Sequence, residues 1–215
     1  VPDIIVSDVM MPRMNGYKLC KTIKEDINIS HIPVILLTAR DDRQSQISGY
    51  KNGADGYLSK PFEVEMLMEL IRNRLKNREY TKKRYLNAGL IPTPEESTIS
   101  LTDETFLIKL NSIIQENIDN TNLGIQFICQ EVGLGRSSLY NKLKALTGMG
   151  ANEYISKLRI EKAITLISGT DMPFSEIAEK TGFTTPSYFS TTFKQYTGET
   201  PSQYKERKKK GLTDQ

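Results

Sequence analysis

The chain has 215 residues, which is enough for two small domains that each bury a hydrophobic core. With 38% hydrophobic and 26% charged residues, its composition is that of an ordinary globular protein, and its apolar runs are too short to cross a bilayer. The formal net charge of +3 does not by itself indicate a nucleic-acid partner. Cys20 and Cys129 lie in different halves of the sequence and are predicted to be free thiols, which favours a reducing, cytoplasmic location.

The first third of the sequence is predicted to alternate strands with helices. Two short, β-branched and nearly all apolar segments predict strands at 3–7 and 34–38, and the alternation continues with a third predicted strand at 56–59. Between and after them, apolar residues at helical spacing predict helices, at 16–27, 44–52 and 63–76. Because strands that are apolar on both faces are typical of a parallel sheet, this portion is predicted to be α/β.

Polar residues stand at the ends of the predicted strands. Asp8, Thr38 and Lys60 are expected at one edge, because the carboxyl ends of parallel strands meet there. A carboxylate can attack a phosphoryl group, while a hydroxyl and an amine can bind its oxygens. Any one of these residues alone would fit a turn or a solvated charge. Together they predict a phosphoryl acceptor. No second catalytic carboxylate, histidine or nucleotide-binding glycine loop accompanies Asp8, so no catalytic residue is assigned and an independent enzyme is rejected.

The segments DVMMPRMNG, LLTAR and GADGYLSKPF, which contain these residues, resemble the motifs of response-regulator receiver domains. The resemblance implies an incomplete flavodoxin-like domain over 1–76, with Asp8 as the phosphorylated residue. It implies switch roles for Thr38 and Tyr57, the conserved lysine role for Lys60, and Mg²⁺ bound by Asp8 and the backbone of Met10. The family's acidic pair and first two strands are missing from this sequence. We therefore interpret the chain as part of a longer protein and expect little phosphorylation of the fragment alone.

A linker is predicted over 77–100. Its Pro92 and Pro94 must end the helical pattern. The basic run 72–84 leaves a second arrangement open, in which the last receiver helix continues as a stalk.

The last half contains one pattern twice. Leu139, Leu143 and Thr147 match Phe189, Phe193 and Thr197 at a separation of 50 residues. Each copy predicts a helix, a glycine-containing turn and a second helix, which is the helix-turn-helix pattern: 125–132, 133–135 and 136–146, then 175–181, 182–185 and 186–196. A helix over 151–168, ~27 Å long at ~1.5 Å per residue, is predicted to join the copies as a rigid spacer. An all-α domain is thus expected over 101–210, with a tail at 211–215.

The second helix of each copy is predicted to bury one apolar stripe and to expose a face without acidic residues. The predicted stripes are Leu139, Leu143 and Leu146, and Phe189, Phe193 and Tyr196. No Asp or Glu occurs in 132–152 or 180–198. Hydroxyl, amide and basic side chains suit base edges and phosphates, where carboxylates would be repelled. Double-stranded DNA is therefore the predicted partner.

The same half resembles AraC-type DNA-binding domains, most closely in IAEKTGF, PSYFSTTFKQYTG and TPSQYK. The resemblance implies base-edge contacts in both copies: Ser137, Tyr140 and Asn141 in the first, and Pro186, Ser187 and Thr191 in the second. Phosphate contacts are expected from the basic residues Arg136, Lys144 and Lys194.

The combination predicts a DNA-binding transcription regulator controlled by aspartyl phosphorylation in a two-component phosphorelay. Its expected partners besides DNA are a histidine kinase, a second copy bound through the receiver, and RNA polymerase. A stand-alone regulator and the cytoplasmic end of an inner-membrane hybrid sensor both remain open. A competing interpretation makes the chain a phosphorelay component that mainly exchanges phosphoryl groups, with the helical half as an adaptor for protein partners. The acid-free faces argue against it.

Overall fold

The computed structural model describes residues 2–39, 53–88 and 100–211. The predicted helix at 44–52, the proline-containing part of the linker and residues 212–215 lie outside these ranges. The chain forms two compact units: Val1–Ile108 with Ser137–Gly148, and Lys109–Arg136 with Met149–Gln215. Within the described ranges, no helix combines the length and hydropathy that a membrane span requires.

The first unit contains a three-stranded parallel sheet. Its strands are β1 (Ile5–Asp8), β2 (Val34–Thr38) and β3 (Gly56–Ser59), in that spatial order. Asp8 pairs with Leu37, and Thr38 pairs with Ser59. The predicted incomplete flavodoxin-like sheet is confirmed.

Two helices of the first unit follow the predicted alternation with the strands. Helix α1 (Gly16–Glu25) buries Cys20 and Ile23 in a cluster with Val34 and Leu36 of β2. Helix α2 (Val64–Ala88) approaches β3 closely, because a Cβ atom on Gly56 would lie 3.3 Å from a methyl carbon of Leu70. A side chain at position 56 would therefore require the side chains of Leu70 and Ile35 to shift by a few tenths of an ångström.

Helix α2 is longer than the predicted 63–76. It continues to Ala88, so 77–88 of the predicted linker are helical. The last receiver helix therefore continues past residue 76, as the second arrangement requires. Since no Gly or Pro interrupts 64–88, nothing in the local sequence ends the helix earlier.

Three helices precede the long connecting helix: α3 (Leu101–Glu116), α4 (Ile125–Val132) and α5 (Arg136–Thr147). Gly133 ends α4 with a φ of 70°, and its N–H donates to the carbonyl of Cys129. This left-handed conformation favours glycine and explains the glycine predicted in the turn.

The second unit is built around α6 (Ala151–Gly169), followed by α7 (Phe174–Lys180), α8 (Pro186–Thr197) and α9 (Pro201–Lys209). Its core joins α6 to the second helix-turn-helix through Ala163, Ile167, Ile177 and Phe189, together with aromatic residues. The predicted second helix-turn-helix is confirmed as α7, a turn and α8.

One residue of the predicted buried stripe on α8 was misplaced. Phe189 and Phe193 are fully buried, but Tyr196 is 37% exposed. Its hydroxyl donates to the carbonyl of Glu153 at 2.9 Å, which keeps the ring at the surface. Tyr204 of α9 covers Phe193 instead, with ring centroids 5.5 Å apart.

Candidate functional site

The strand ends bring Asp8 and Lys60 together, as the sequence predicts. The Lys60 Nζ lies 2.5 Å from Oδ2 of Asp8, and the backbone N–H of Met10 donates to Oδ1 at 3.1 Å. The Lys60 hydrogen bond and then the Met10 N–H lower the pKa of Asp8. The lowered pKa keeps Asp8 an ionised carboxylate. Its side chain is 34% exposed, so a phosphoryl donor can reach it.

The loop after Asp8 is shaped by Asn15 and Gly16. The side chain of Asn15 caps α1 by accepting a hydrogen bond from the N–H of Lys18 at 2.8 Å. A Cβ atom on Gly16 would lie 2.5 Å from the carbonyl oxygen of Asp8 and 2.9 Å from Cα of Val9. Any larger residue at position 16 would therefore displace the loop that carries the candidate phosphoryl acceptor.

Thr38 and Tyr57 occupy the two neighbouring strands. Thr38 ends β2 and is buried, and its carbonyl accepts from the N–H of Lys60 at 2.6 Å. The Tyr57 hydroxyl lies 3.0 Å from the hydroxyl of Tyr17 on α1, a contact that the sequence did not reveal. Their switch roles stay predictions.

The predicted Mg²⁺ ligands are incomplete in the described part of the chain. Mg²⁺ favours six oxygen ligands in near-octahedral geometry. Among residues 2–39, 53–88 and 100–211, no cluster of three His, Cys, Asp or Glu side chains could bind a metal. Asp8 and the carbonyl of Met10 would supply only part of such a set. The described residues alone do not fit the ion.

The first recognition helix, α5, exposes the predicted DNA-binding face. Arg136, Ser137, Tyr140 and Lys144 are exposed, and Asn141 is half-buried. The spacing of these five residues places them along one side of the helix. On the opposite side, the stripe formed by Leu139, Leu143 and Leu146 is buried as predicted.

Lys142 also lies on α5 but, unlike Arg136 and Lys144, it does not face solvent. Its side chain is fully buried and forms an ion pair with Asp103, while Nζ donates to the hydroxyl of Ser30 at 2.7 Å. Burial lowers the pKa of Lys142, and the charge of Asp103 opposes that shift. The sequence could not identify this role, because Asp103 and Ser30 are 39 and 112 residues away.

The second recognition helix, α8, begins with a side-chain cap. Thr185 accepts from the N–H of Tyr188 at 3.1 Å, and Pro186 occupies the first turn. The four residues predicted to bind DNA are all exposed: Pro186, Ser187, Thr191 and Lys194. Tyr188, 51% exposed near the same end, is an additional candidate that sequence reasoning missed.

Arg159 of α6 packs against the turn of the second helix-turn-helix. Its guanidinium donates to the carbonyl oxygens of Ile118 and Asn120, at 3.3 and 2.7 Å, and lies 6.0 Å from the ring centroid of Phe183. A Cβ atom on Gly182 would lie 2.3 Å from the Ile118 oxygen. The turn therefore needs a glycine at position 182, beside a buried arginine that the helical pattern of α6 did not distinguish from a surface charge.

Two family models match the chain. The response regulator receiver domain matches residues 1–72, and a helix-turn-helix domain matches residues 128–207. Together they include Asp8, Thr38, Tyr57 and Lys60 in the first match, and α5 and α8 in the second.

Two curated relatives differ in how much of their own length matches this chain. The chain is 43% identical over 207 residues to "Histidine kinase P4" of Formosa agariphila, which covers 96% of this chain and 15% of that protein. It is 30% identical over 162 residues to "Probable transcriptional regulator ycf29" of Pyropia yezoensis, which covers 70% of this chain and 73% of that protein. The chain therefore spans only a small part of the Formosa protein and about three quarters of the Pyropia protein.

Among solved structures, the C-terminal domain of AraT, a response regulator from Geobacillus stearothermophilus, is 30% identical, with a TM-score of 0.45. The match covers 47% of this chain and 84% of that one.

Proposed function

Because the chain belongs to the response regulators that join a receiver domain to an AraC-type helix-turn-helix domain, we propose that it acts as a sequence-specific DNA-binding transcription regulator controlled by phosphorylation of Asp8. The observation that carries this proposal is the pair of exposed, acid-free faces on α5 and α8 in a chain that also presents an ionised carboxylate at the sheet edge. DNA attracts such faces because its phosphates repel carboxylates and attract basic groups.

In the proposed phosphorylation, an oxygen of Asp8 attacks the phosphorus of a phosphohistidine on the kinase. A P–O bond forms to Asp8 as the P–N bond to the imidazole breaks, so the chain gains an acyl phosphate. Lys60, 2.5 Å from the carboxylate, would then pair with the new phosphoryl oxygens. Thr38 and Tyr57 are the residues we expect to respond to the added charge, and Mg²⁺ would neutralise part of it in a receiver with its acidic pair present.

On DNA, we assign base contacts and phosphate contacts to different residues. Neutral donors and acceptors discriminate among base edges, so Ser137, Tyr140 and Asn141 on α5 supply specificity. Pro186, Ser187 and Thr191 do the same on α8. The three charged residues bind phosphates: Arg136, Lys144 and Lys194.

The proposed partners follow from these two activities. A histidine kinase supplies the phosphoryl group, either as a separate protein or on the same longer chain, and the name of the Formosa relative favours the second arrangement. We propose two further partners. One is a second copy of the chain, which binds through the receiver, and the other is RNA polymerase. We assign no catalytic residue to this chain.

The DNA proposal is tested by titrating the 215-residue chain against a sequence selected from random duplexes and against random DNA. Asn141→Ala is expected to remove about 1–3 kcal/mol of preference at one base pair and to leave non-specific binding intact. Lys144→Ala is expected to weaken all duplexes and to reduce the salt slope by about one unit. Thr191→Ala and Lys194→Ala are the matched pair on α8.

If neither pair changes DNA binding, or if the chain binds no duplex in a salt-dependent way, the adaptor interpretation replaces the DNA proposal. Phosphorylation is tested separately in a longer protein with a complete receiver, supplied with a small phosphodonor and Mg²⁺. Asp8→Asn should abolish the acid-stable, base-labile label. Undiminished labelling of that variant would contradict the assignment.

A further inference from the structure

The first unit contains a cavity of about 70 Å³ that the proposed function does not use. It lies beside the turn that precedes β2, at the end of the sheet opposite to Asp8. Helix α2 contributes Arg74, Asn77 and Arg78, and the C-terminal part of α5 contributes Ala145 and Leu146.

Two residues that line this cavity each carry a buried side-chain nitrogen that has no hydrogen-bond partner among the described residues. The two atoms are Nδ1 of His31 and Nε of Arg74. His31 is only 8% exposed. A buried polar group left without a partner destabilises the folded chain, so such groups point to a ligand or an ordered molecule that satisfies them. The Arg74 nitrogen is always a donor, which requires an acceptor.

The charges around the cavity favour an anion as that acceptor. Its two carboxylates are already matched by lysines: Asp55 lies 2.7 Å from Lys24, and Asp103 pairs with Lys142. Two guanidinium groups remain, those of Arg74 and Arg78. Arg78 donates to backbone carbonyls, and its nearest carboxylate oxygen, on Asp3, is 4.0 Å away.

The same excess of positive charge contributes to a lowered pKa of His31. Burial and then the nearby positive charge of Lys142 lower the pKa of His31 to about 4, with smaller effects in the same direction from Arg78 and Lys24. Asp103 alone opposes them. An anion placed between His31 and Arg74 would offset this field and favour the protonated imidazole.

We infer that this cavity is a binding site for a small tetrahedral oxyanion, of the size and charge of inorganic phosphate, held between Arg74 and His31 with Arg78 as the second guanidinium. A guanidinium presents parallel N–H donors that match the oxygens of such an anion. Because residues of α2, of the turn before β2 and of α5 line the cavity, a bound anion stabilises the unit that contains the first recognition helix.

His31 makes the test direct, since it is the only histidine of the chain. Its imidazole is followed by proton–nitrogen NMR while the 215-residue chain is titrated with sodium phosphate at constant ionic strength. We expect a saturable shift of the His31 resonances and a pKa that moves upward in the presence of phosphate. Sulfate should act as phosphate does, whereas acetate and chloride should not.

Arg74→Gln is expected to abolish the response. The matched control is Arg72→Gln on the same helix, because Arg72 is 66% exposed and pairs with Glu69. Asp8→Asn should leave the response unchanged, which separates this cavity from the proposed phosphorylation site. A melting temperature of the unaltered chain that rises with phosphate but not with chloride provides a measurement that does not depend on how Arg74→Gln folds.

The inference is wrong if phosphate and chloride shift His31 equally, or if Arg72→Gln reduces the response as much as Arg74→Gln. It is also wrong if phosphate moves neither the resonances nor the melting temperature, because the two nitrogens would then be satisfied by water.

Discussion

The two recognition helices present similar polar faces to solvent, but different interactions lie beneath them. Behind α5, the buried ammonium of Lys142 binds Asp103 and Ser30. Behind α8, Phe189 and Phe193 are fully buried in a stack of aromatic rings. The comparison teaches that the polar outer face, which the repeat preserves, does not dictate what packs beneath it.

The two kinds of support differ in what they respond to. The aromatic rings behind α8 pack in tilted and edge-to-face pairs, with centroids 5.3 and 5.7 Å apart, and their contribution depends on contact area. A buried ion pair gains its attraction only when both charges and their hydrogen bonds are in place, because each charge has lost its hydration. The support of α5 therefore includes a buried charge pair, whereas that of α8 comes mainly from contact between aromatic rings.

Removing a ring from the aromatic support gives the largest expected effect. Phe193→Ala should lower the free energy of unfolding by about 3–5 kcal/mol, because it leaves a cavity between Phe189 and Tyr204. Urea denaturation followed by circular dichroism measures the loss. Thr191→Ala, exposed on the same helix, should change it by less than about 0.5 kcal/mol. Equal losses would show that the rings do not support α8.

Breaking the ion pair should have a slightly smaller effect. Asp103→Ala is expected to cost about 3 kcal/mol, since it leaves the ammonium of Lys142 buried without a carboxylate. The double variant Asp103→Leu with Lys142→Met should recover most of that loss, because apolar side chains can replace a buried pair. Urea denaturation of the single and double variants, beside Glu104→Ala as control, checks both. A double variant less stable than the single one would contradict the argument.

Acid should weaken the first unit through His31. The pKa of His31 is lowered from 6.5 to about 4 in the folded chain, so the unfolded chain binds more protons between these values. The stability contributed by neutral His31 is complete above about pH 6.5 and is lost as the pH falls towards about 4, by about 3 kcal/mol in all. His31→Gln should lack this part of the pH dependence. Urea titrations in phosphate-free buffers at several pH values compare the two chains, and parallel curves would refute the prediction.

The smallest expected effect concerns how α8 begins. Thr185→Ala should cost about 1 kcal/mol, because it leaves the N–H of Tyr188 without its side-chain acceptor. Thr185→Ser keeps an acceptor and should restore most of the stability. Thermal denaturation is sensitive enough to separate the two variants. If serine were no better than alanine, the hydroxyl would not be the group that stabilises the helix start.

Sequence reasoning did well where a local pattern has one structural solution. The strand ends placed Asp8 beside Lys60, since parallel strands align their carboxyl ends by necessity. It did less well at Tyr196, where helical spacing predicted burial but a hydrogen bond to Glu153 keeps the ring exposed. It also ended α2 at residue 76, although the helix continues to Ala88.

The sequence alone determined the α/β and all-α halves, the repeated helix-turn-helix and the acid-free faces, because periodicity and turn chemistry act over a few neighbouring residues. Only the tertiary structure decided that Lys142 is buried, that Arg159 packs against the turn at Gly182, and that His31 and Arg74 line one cavity. Each of these depends on groups that are distant along the chain. The sequence gives the charge of a side chain, but only the folded structure determines whether water, a carboxylate or a carbonyl binds it.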